Sequence, residues 1–140
     1  MKKTQKIQYL VEVPLFATLN KKELGEVASH VDLADVAADT TLTVEGRAGQ
    51  QFGIIVSGSA VVNRNNRQLA LLGPGDFFGE MALLLNKPSS ATVTTTDDST
   101  LLVMHRRDFG TVLDRVPAIG KKLATGLAAR LLEADRKLVN

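Results

Sequence analysis

Apolar positions follow a helical period at both ends of the chain and a period of two through its middle. Residues 5–13 form a short amphipathic piece that ends before Pro14. Asn20 with Glu23 three positions on is a capping box, and it opens a helix through about Val31 with Leu24, Val27 and Ala28 on one face. Short apolar or alternating runs then recur at 31–36, 41–44, 52–56, 59–63, 68–72, 91–96 and 101–104. Turn signals separate them at Glu45-Gly46, Ala48-Gly49, Ser57-Gly58, Asn65-Asn66, Gly73-Pro74-Gly75 and Asp97-Asp98-Ser99. Many short strands at this spacing predict a barrel, roll or sandwich. Residues 106–114 read as a helix stopped near Pro117, and 118–138 as a second one. In that last helix Ile119, Leu123, Leu127 and Leu131 stand four apart as a stripe, fit to cap the β unit or to meet a partner helix. Gly120 and Gly126 weaken it by about 1 kcal/mol each relative to alanine.

One segment does not read as framework. Residues 73–93, GPGDFFGEMALLLNKPSSATV, run as strand, glycine-rich turn, one short helical turn, loop and strand. Gly79 permits a tight turn, and the N–H groups that begin a helix after it can point at a ligand oxygen. Glu80 stands among Phe77, Phe78, Met81 and Leu83, where a carboxylate needs a hydrogen-bonding role, and Phe78, Met81, Leu83 and Val93 are expected to be largely buried. A ribose 2′-hydroxyl would suit it. The plainer reading is a helix-start acid favoured by the helix dipole.

Composition narrows the classes. A chain of 140 residues, 44% apolar and 23% charged, suits one globular domain. The net charge of +2, from 17 basic and 15 acidic residues, is too balanced to imply nucleic-acid binding, and Lys2, Lys3 and Lys6 supply much of the excess at one terminus. There is no cysteine, no apolar run long enough to span a membrane, and no signal peptide at the basic N-terminus. His30 and His105 lack a second ligand at metal spacing. No G-x-S-x-G occurs, and Gly73-Pro74-Gly75 lacks the dinucleotide-binding frame. These absences point away from an enzyme, and no catalytic or metal-binding residue is assigned.

Phe78, Gly79, Glu80, Met81, Ala82 and Leu83, followed by Pro88, Ser90, Ala91, Thr92 and Val93, resemble the phosphate-binding cassette of the cyclic nucleotide-binding domain family. The flanks VPLFATLN (13–20) and FGIIVSGSAVV (52–62) are similar to that family as well, so the likeness covers nearly the whole chain. It implies an α+β fold: an eight-stranded, jelly-roll-like β-roll over 31–105, with N-terminal helices within 5–31 and C-terminal helices within 106–138, all in a single domain of residues 1–140. It implies a regulatory domain for cAMP or cGMP, without a cofactor and without catalysis. Glu80 would hold the ribose hydroxyl, and the N–H groups of Met81, Ala82 and Ala91 would face the phosphate. The last helix would close over the nucleotide. Ser90 and Thr92 offer hydroxyls to phosphate or purine, although threonine is also simply common in strands.

The chain departs from the pattern at Ser89, where the family has the arginine that grips the phosphate. Losing one partner of a buried charge pair costs about 2–5 kcal/mol, roughly 30- to 4,000-fold in affinity. Binding is therefore expected to be weak unless Lys87, Arg47, Arg64 or Arg67 compensates. The alternative is a degenerate module acting in protein interaction or as a fixed regulatory domain. A DNA-binding regulator would need its reading helix beyond Asn140, so no specific DNA binding is expected of this chain. An effector domain or partner protein outside the chain is expected, with no membrane contact by the chain itself. The setting is cytoplasmic, or the cytoplasmic side of a membrane protein.

Overall fold

The computed structural model describes residues 3–139, so Lys2 of the basic trio lies outside the described residues. Two helices come first: α1 (Lys3–Leu10) and α2 (Lys21–Ala28). The Asn20 capping box forms as read: Glu23 N–H donates to Asn20 Oδ1 at 2.9 Å and Asn20 N–H to Glu23 Oε1 at 3.0 Å. The first helix ends at Leu10, before the expected Val13, because residues 11–18 turn to bury Val13, Leu15 and Phe16. The second stops at Ala28 and not near Val31, because the His30 N–H tightens onto the Val27 carbonyl, three residues back, and β1 opens at Asp32.

Eight strands follow, β1 (Asp32–Val36), β2 (Thr41–Thr43), β3 (Gln51–Ser57), β4 (Ala60–Arg64), β5 (Arg67–Leu72), β6 (Phe77–Phe78), β7 (Thr92–Thr95) and β8 (Ser99–His105), with the short helix α3 (Glu80–Leu85) between β6 and β7. They pair antiparallel in two four-stranded sheets, ordered β1-β8-β3-β6 and β2-β7-β4-β5. This is the expected β-roll with flanking helices. Between the sheets, Ile55, Ala60, Phe78, Val93 and Leu101 form one apolar cluster. A larger cluster joins the outer face of the first sheet to the helices through Phe16, Phe52, Ile54, Met104, Phe109 and Val112. Strand alternation thus fills the roll with one set of side chains and docks the helices with the other.

Helices α4 (Arg106–Arg115) and α5 (Pro117–Val139) complete the chain. The α5 stripe is split. Ile119 and Leu123 are buried in the helical cluster and Leu127 is half-buried, but Leu131 is 64% exposed. The stripe caps the roll along its first half only; past Leu127 the helix projects from the core. His30 is satisfied locally, its Nδ1 within 2.9 Å of the Glu26 carbonyl oxygen.

Candidate functional site

The segment 77–93 runs from β6 of the first sheet through α3 to β7 of the second. Its tight point is Gly79, at φ +89°, where a Cβ would lie 2.3 Å from the Gln51 carbonyl oxygen. Only glycine meets both conditions. The turn brings α3 against β3 and sends alternate residues of its first turn opposite ways. Glu80 and Ala82 face inward, 3% and 4% exposed. Met81, expected to be buried with its apolar neighbours, is instead 45% exposed, because inward-facing Glu80 and Ala82 leave it the solvent side with Leu84 and Leu85. Phe78 and Val93 are buried and Leu83 is half-buried.

Glu80 is held from α5. Arg130 Nη1 donates to Glu80 Oε1 at 3.2 Å, and Nη2 donates to the Phe77 carbonyl oxygen at 3.3 Å. The guanidinium lies over the Phe77 ring at 4.4 Å from its centroid, a cation–π contact. Glu80 Oε2 is buried and unpaired among the described residues. Burial pushes the Glu80 carboxyl above its ordinary value of 4.5, while a backbone hydrogen bond at Glu80 and the Arg130 charge offset part of that rise. The sequence reading missed Arg130. Its one signal was position: it falls three residues after Leu127, on the side of the helix that carries the stripe.

The loop after α3 is fastened to the β2–β3 connection. Ser89 N–H donates to the Arg47 carbonyl at 2.8 Å, and Gly46 N–H to the Ser89 carbonyl at 2.9 Å. Gly49 sits under both halves of the segment: a Cβ there would be 2.5 Å from Ala82 Cβ and 3.6 Å from Ser89 Oγ. The Ser89 hydroxyl therefore lies beside Gly49. Arg106 locks this corner, donating to the Gly49 carbonyl at 2.7 Å and to Asn86 Oδ1 at 3.3 Å. Ser90 is exposed and Ala91 buried, and the Ser90 carbonyl accepts Arg64 Nε at 2.8 Å.

Thr92 points elsewhere. Val62 and Val93 are register partners inside the inter-sheet cluster, so Asn63 and Thr92, the next pair, face out. The Thr92 hydroxyl accepts the Glu45 N–H at 3.0 Å and lines a separate polar hollow of about 300 Å³ with Glu45, Asn63 and Asn66. Of the predicted site residues, Ala82 and Ser89 meet at Gly49, and Phe78, Glu80, Ala82 and Ala91 are buried while Ser90 is exposed. The Met81 side chain turns to solvent and the Thr92 hydroxyl to the polar hollow. Among the described residues no cluster of metal-ligating side chains occurs, and no helix is long and apolar enough to cross a membrane.

The chain is similar in sequence and fold to known proteins. The sequence pattern of the cyclic nucleotide-binding domain matches residues 34–116. The chain is 35% identical over 130 residues to the cyclic AMP receptor protein of Thermus thermophilus, covering 89% of this chain and 60% of that protein. It is 35% identical over 114 residues to a cyclic nucleotide-gated potassium channel of Mesorhizobium japonicum, covering 81% of this chain and 32% of the channel. Its fold superposes on the crystal structure of the Thermus thermophilus catabolite activator protein with a TM-score of 0.80 at 35% identity, over 89% of this chain and 61% of that one. The chain spans less than two thirds of these relatives' lengths. With the pattern matched over more than half its residues, and the roll and cassette in place, the chain belongs to the cyclic nucleotide-binding domain family.

Proposed function

We propose that residues 1–140 act as one regulatory unit that senses cAMP or cGMP and passes the state of its pocket to an effector outside this chain. The observation that carries the reading is Glu80 Oε2, a buried carboxylate oxygen without a donor among the described residues, on the segment that links the two sheets. A buried acceptor of this kind calls for a partner, and a ribose 2′-hydroxyl supplies one donor of the right size. Oε1 keeps Arg130, so a single carboxylate would touch both the sugar and α5. The cyclic phosphate would lie against the N–H groups of Met81, Ala82 and Ala91 and the hydroxyls of Ser89 and Ser90. No arginine stands at 89, and hydroxyls solvate a phosphate without neutralising it. Affinity is therefore reduced, with Kd on the order of tens of micromolar or weaker, if a family-like micromolar value loses a few kcal/mol.

Calorimetric titration of cAMP and cGMP into the purified chain tests this. Ser89→Arg should tighten binding at least about tenfold, and Glu80→Gln should weaken it. Submicromolar binding by the unaltered chain would remove the weakened-affinity claim. If neither the chain nor Ser89→Arg binds either nucleotide, the sensing reading fails, and a module fixed in one state or devoted to protein contacts takes its place.

A further inference from the structure

We propose that the site prefers an uncharged ribonucleoside, a base on a free ribose, to the cyclic 3′,5′-phosphate ester of that nucleoside. This rests on the reading above that Glu80 receives a ribose, and it narrows the class of molecule that brings the ribose. Glu80 is a buried carboxylate. Its Oε1 takes Arg130 Nη1 at 3.2 Å, and its Oε2 has no donor among the described residues. In a 3′,5′-cyclic nucleotide O3′ is esterified, so the sugar keeps one donor, the 2′-hydroxyl. A free ribonucleoside keeps the cis 2′,3′-diol and brings two donors to the same carboxylate. An ionised carboxylate has room for about four hydrogen bonds, so both can be accepted beside Arg130.

The charges around Glu80 favour the same choice. Glu80 and Arg130 form an ion pair with one charge of each sign, and the Phe77 carbonyl and ring hold the guanidinium further. A cyclic phosphate is fused to its sugar, so a ribose held by Glu80 brings a second full negative charge close to the carboxylate. Taking that charge out of water calls for a second cation. The basic residues near the loop are engaged elsewhere or exposed. Arg106 donates to the Gly49 carbonyl and to Asn86 Oδ1, the exposed Arg64 donates to the Ser90 carbonyl, and Arg47 and Lys87 are exposed. Helix α3 has only six residues, so the partial charge at its start does not stand in for a whole one. Ser89 Oγ lies beside Gly49, with Ala82 on the same spot. A hydroxyl there can donate to or accept from a neutral sugar hydroxyl, with no ion to desolvate.

Calorimetric titration of adenosine, guanosine, cAMP and cGMP into the unaltered chain and into Ser89→Arg tests this. In the unaltered chain the better nucleoside is expected to bind at least about tenfold more tightly than its own cyclic 3′,5′-monophosphate, and at least about fivefold more tightly than its 3′-deoxy form. Ser89→Arg is expected to reverse the first order, because a guanidinium pairs with a phosphate and has no anion to meet on a nucleoside. A cyclic nucleotide that binds the unaltered chain as tightly as its nucleoside does, or a 3′-deoxynucleoside as tight as its parent, overturns the proposal and leaves the cyclic nucleotide reading standing. Cyclic nucleotide binding by Ser89→Arg, with no nucleoside bound by the unaltered chain, does the same. If the unaltered chain binds a nucleoside and neither protein binds cAMP or cGMP, the cyclic nucleotide reading fails and the ribonucleoside assignment stands. Failure of both proteins to bind any of the four overturns both.

Discussion

Replacing Arg130 by alanine tests the link between α5 and the cassette without touching either backbone. The guanidinium makes one charge-assisted hydrogen bond to Glu80, one to the Phe77 carbonyl, and a cation–π contact with the Phe77 ring. Glu80 is buried, but the Arg130 side chain is 45% exposed, so the ion pair is worth less than a fully buried one. Taking about 0.5–1 kcal/mol for the discounted pair, about 0.5–1 for the aromatic contact and about 0.5 for the carbonyl bond, the loss is about 1.5–2.5 kcal/mol. For a chain of this size that lowers Tm by roughly 5–10 °C. The pH dependence is the sharper readout. The Arg130 charge depresses a Glu80 pKa that burial has raised. Its contribution exists only while Glu80 is ionised, and it fades as pH falls from neutrality through that raised value toward 4.5. Denaturant unfolding at neutral pH and at pH 4.5, where a carboxyl raised above that value is mostly protonated, should therefore show a smaller gap between the two proteins at the lower pH. The same gap at both values, or none at either, would show that the guanidinium does not hold a charged Glu80.

Three further outcomes follow from the same geometry. Gly79→Ala must fit a Cβ 2.3 Å from a carbonyl oxygen at φ +89°, and should cost about 2–4 kcal/mol in denaturant unfolding; a loss below about 0.5 kcal/mol would show that the turn can relax. If Glu80 accepts the sugar hydroxyl as an anion, cyclic nucleotide affinity should fall as pH drops, with the loss beginning above pH 4.5, and a flat profile between neutrality and pH 4.5 would remove Glu80 from the contact. Saturating nucleotide should slow amide hydrogen exchange across residues 123–132, and unchanged exchange there would end the role proposed for α5.

How far the sequence could be read depended on whether the signal was local. The Asn20 capping box, the turn pairs between strands and the glycine that opens α3 are each set by neighbours within a few positions, and each was visible. The eight-stranded roll itself needed the family resemblance, because periodicity alone left barrel, roll and sandwich open. Met81 was misplaced because α3 is only six residues long, too short for an apolar period to reveal its buried side. Arg130 was invisible because its partner is 50 residues away, and nothing in a helical stripe says that an arginine at its edge will reach a buried carboxylate. Thr92 shows the same limit. Its place in the motif suggested the pocket, but the register of Val62 with Val93 decides which way it faces.

The division of α5 bounds what a ligand could achieve. Ile119 and Leu123 anchor its first half in the core, where displacement would expose buried apolar surface. Past Leu127, Arg130 makes the contacts with the cassette, and Leu131 and Leu132 are exposed. Gly126 packs beside Phe77, with the nearest ring atom 3.4 Å from where a Cβ would sit, so the helix changes character close to this point. A ligand that acts only by breaking the Arg130 latch can shift the second half of α5 by no more than the latch is worth. At about 1.5–2.5 kcal/mol that is roughly 10- to 70-fold in the ratio of docked to undocked helix. Under the proposed function this suits a graded regulator, whose output shifts between two populated positions of α5. An effector response to nucleotide much steeper than this range would require a contact with α5 beyond the chain itself.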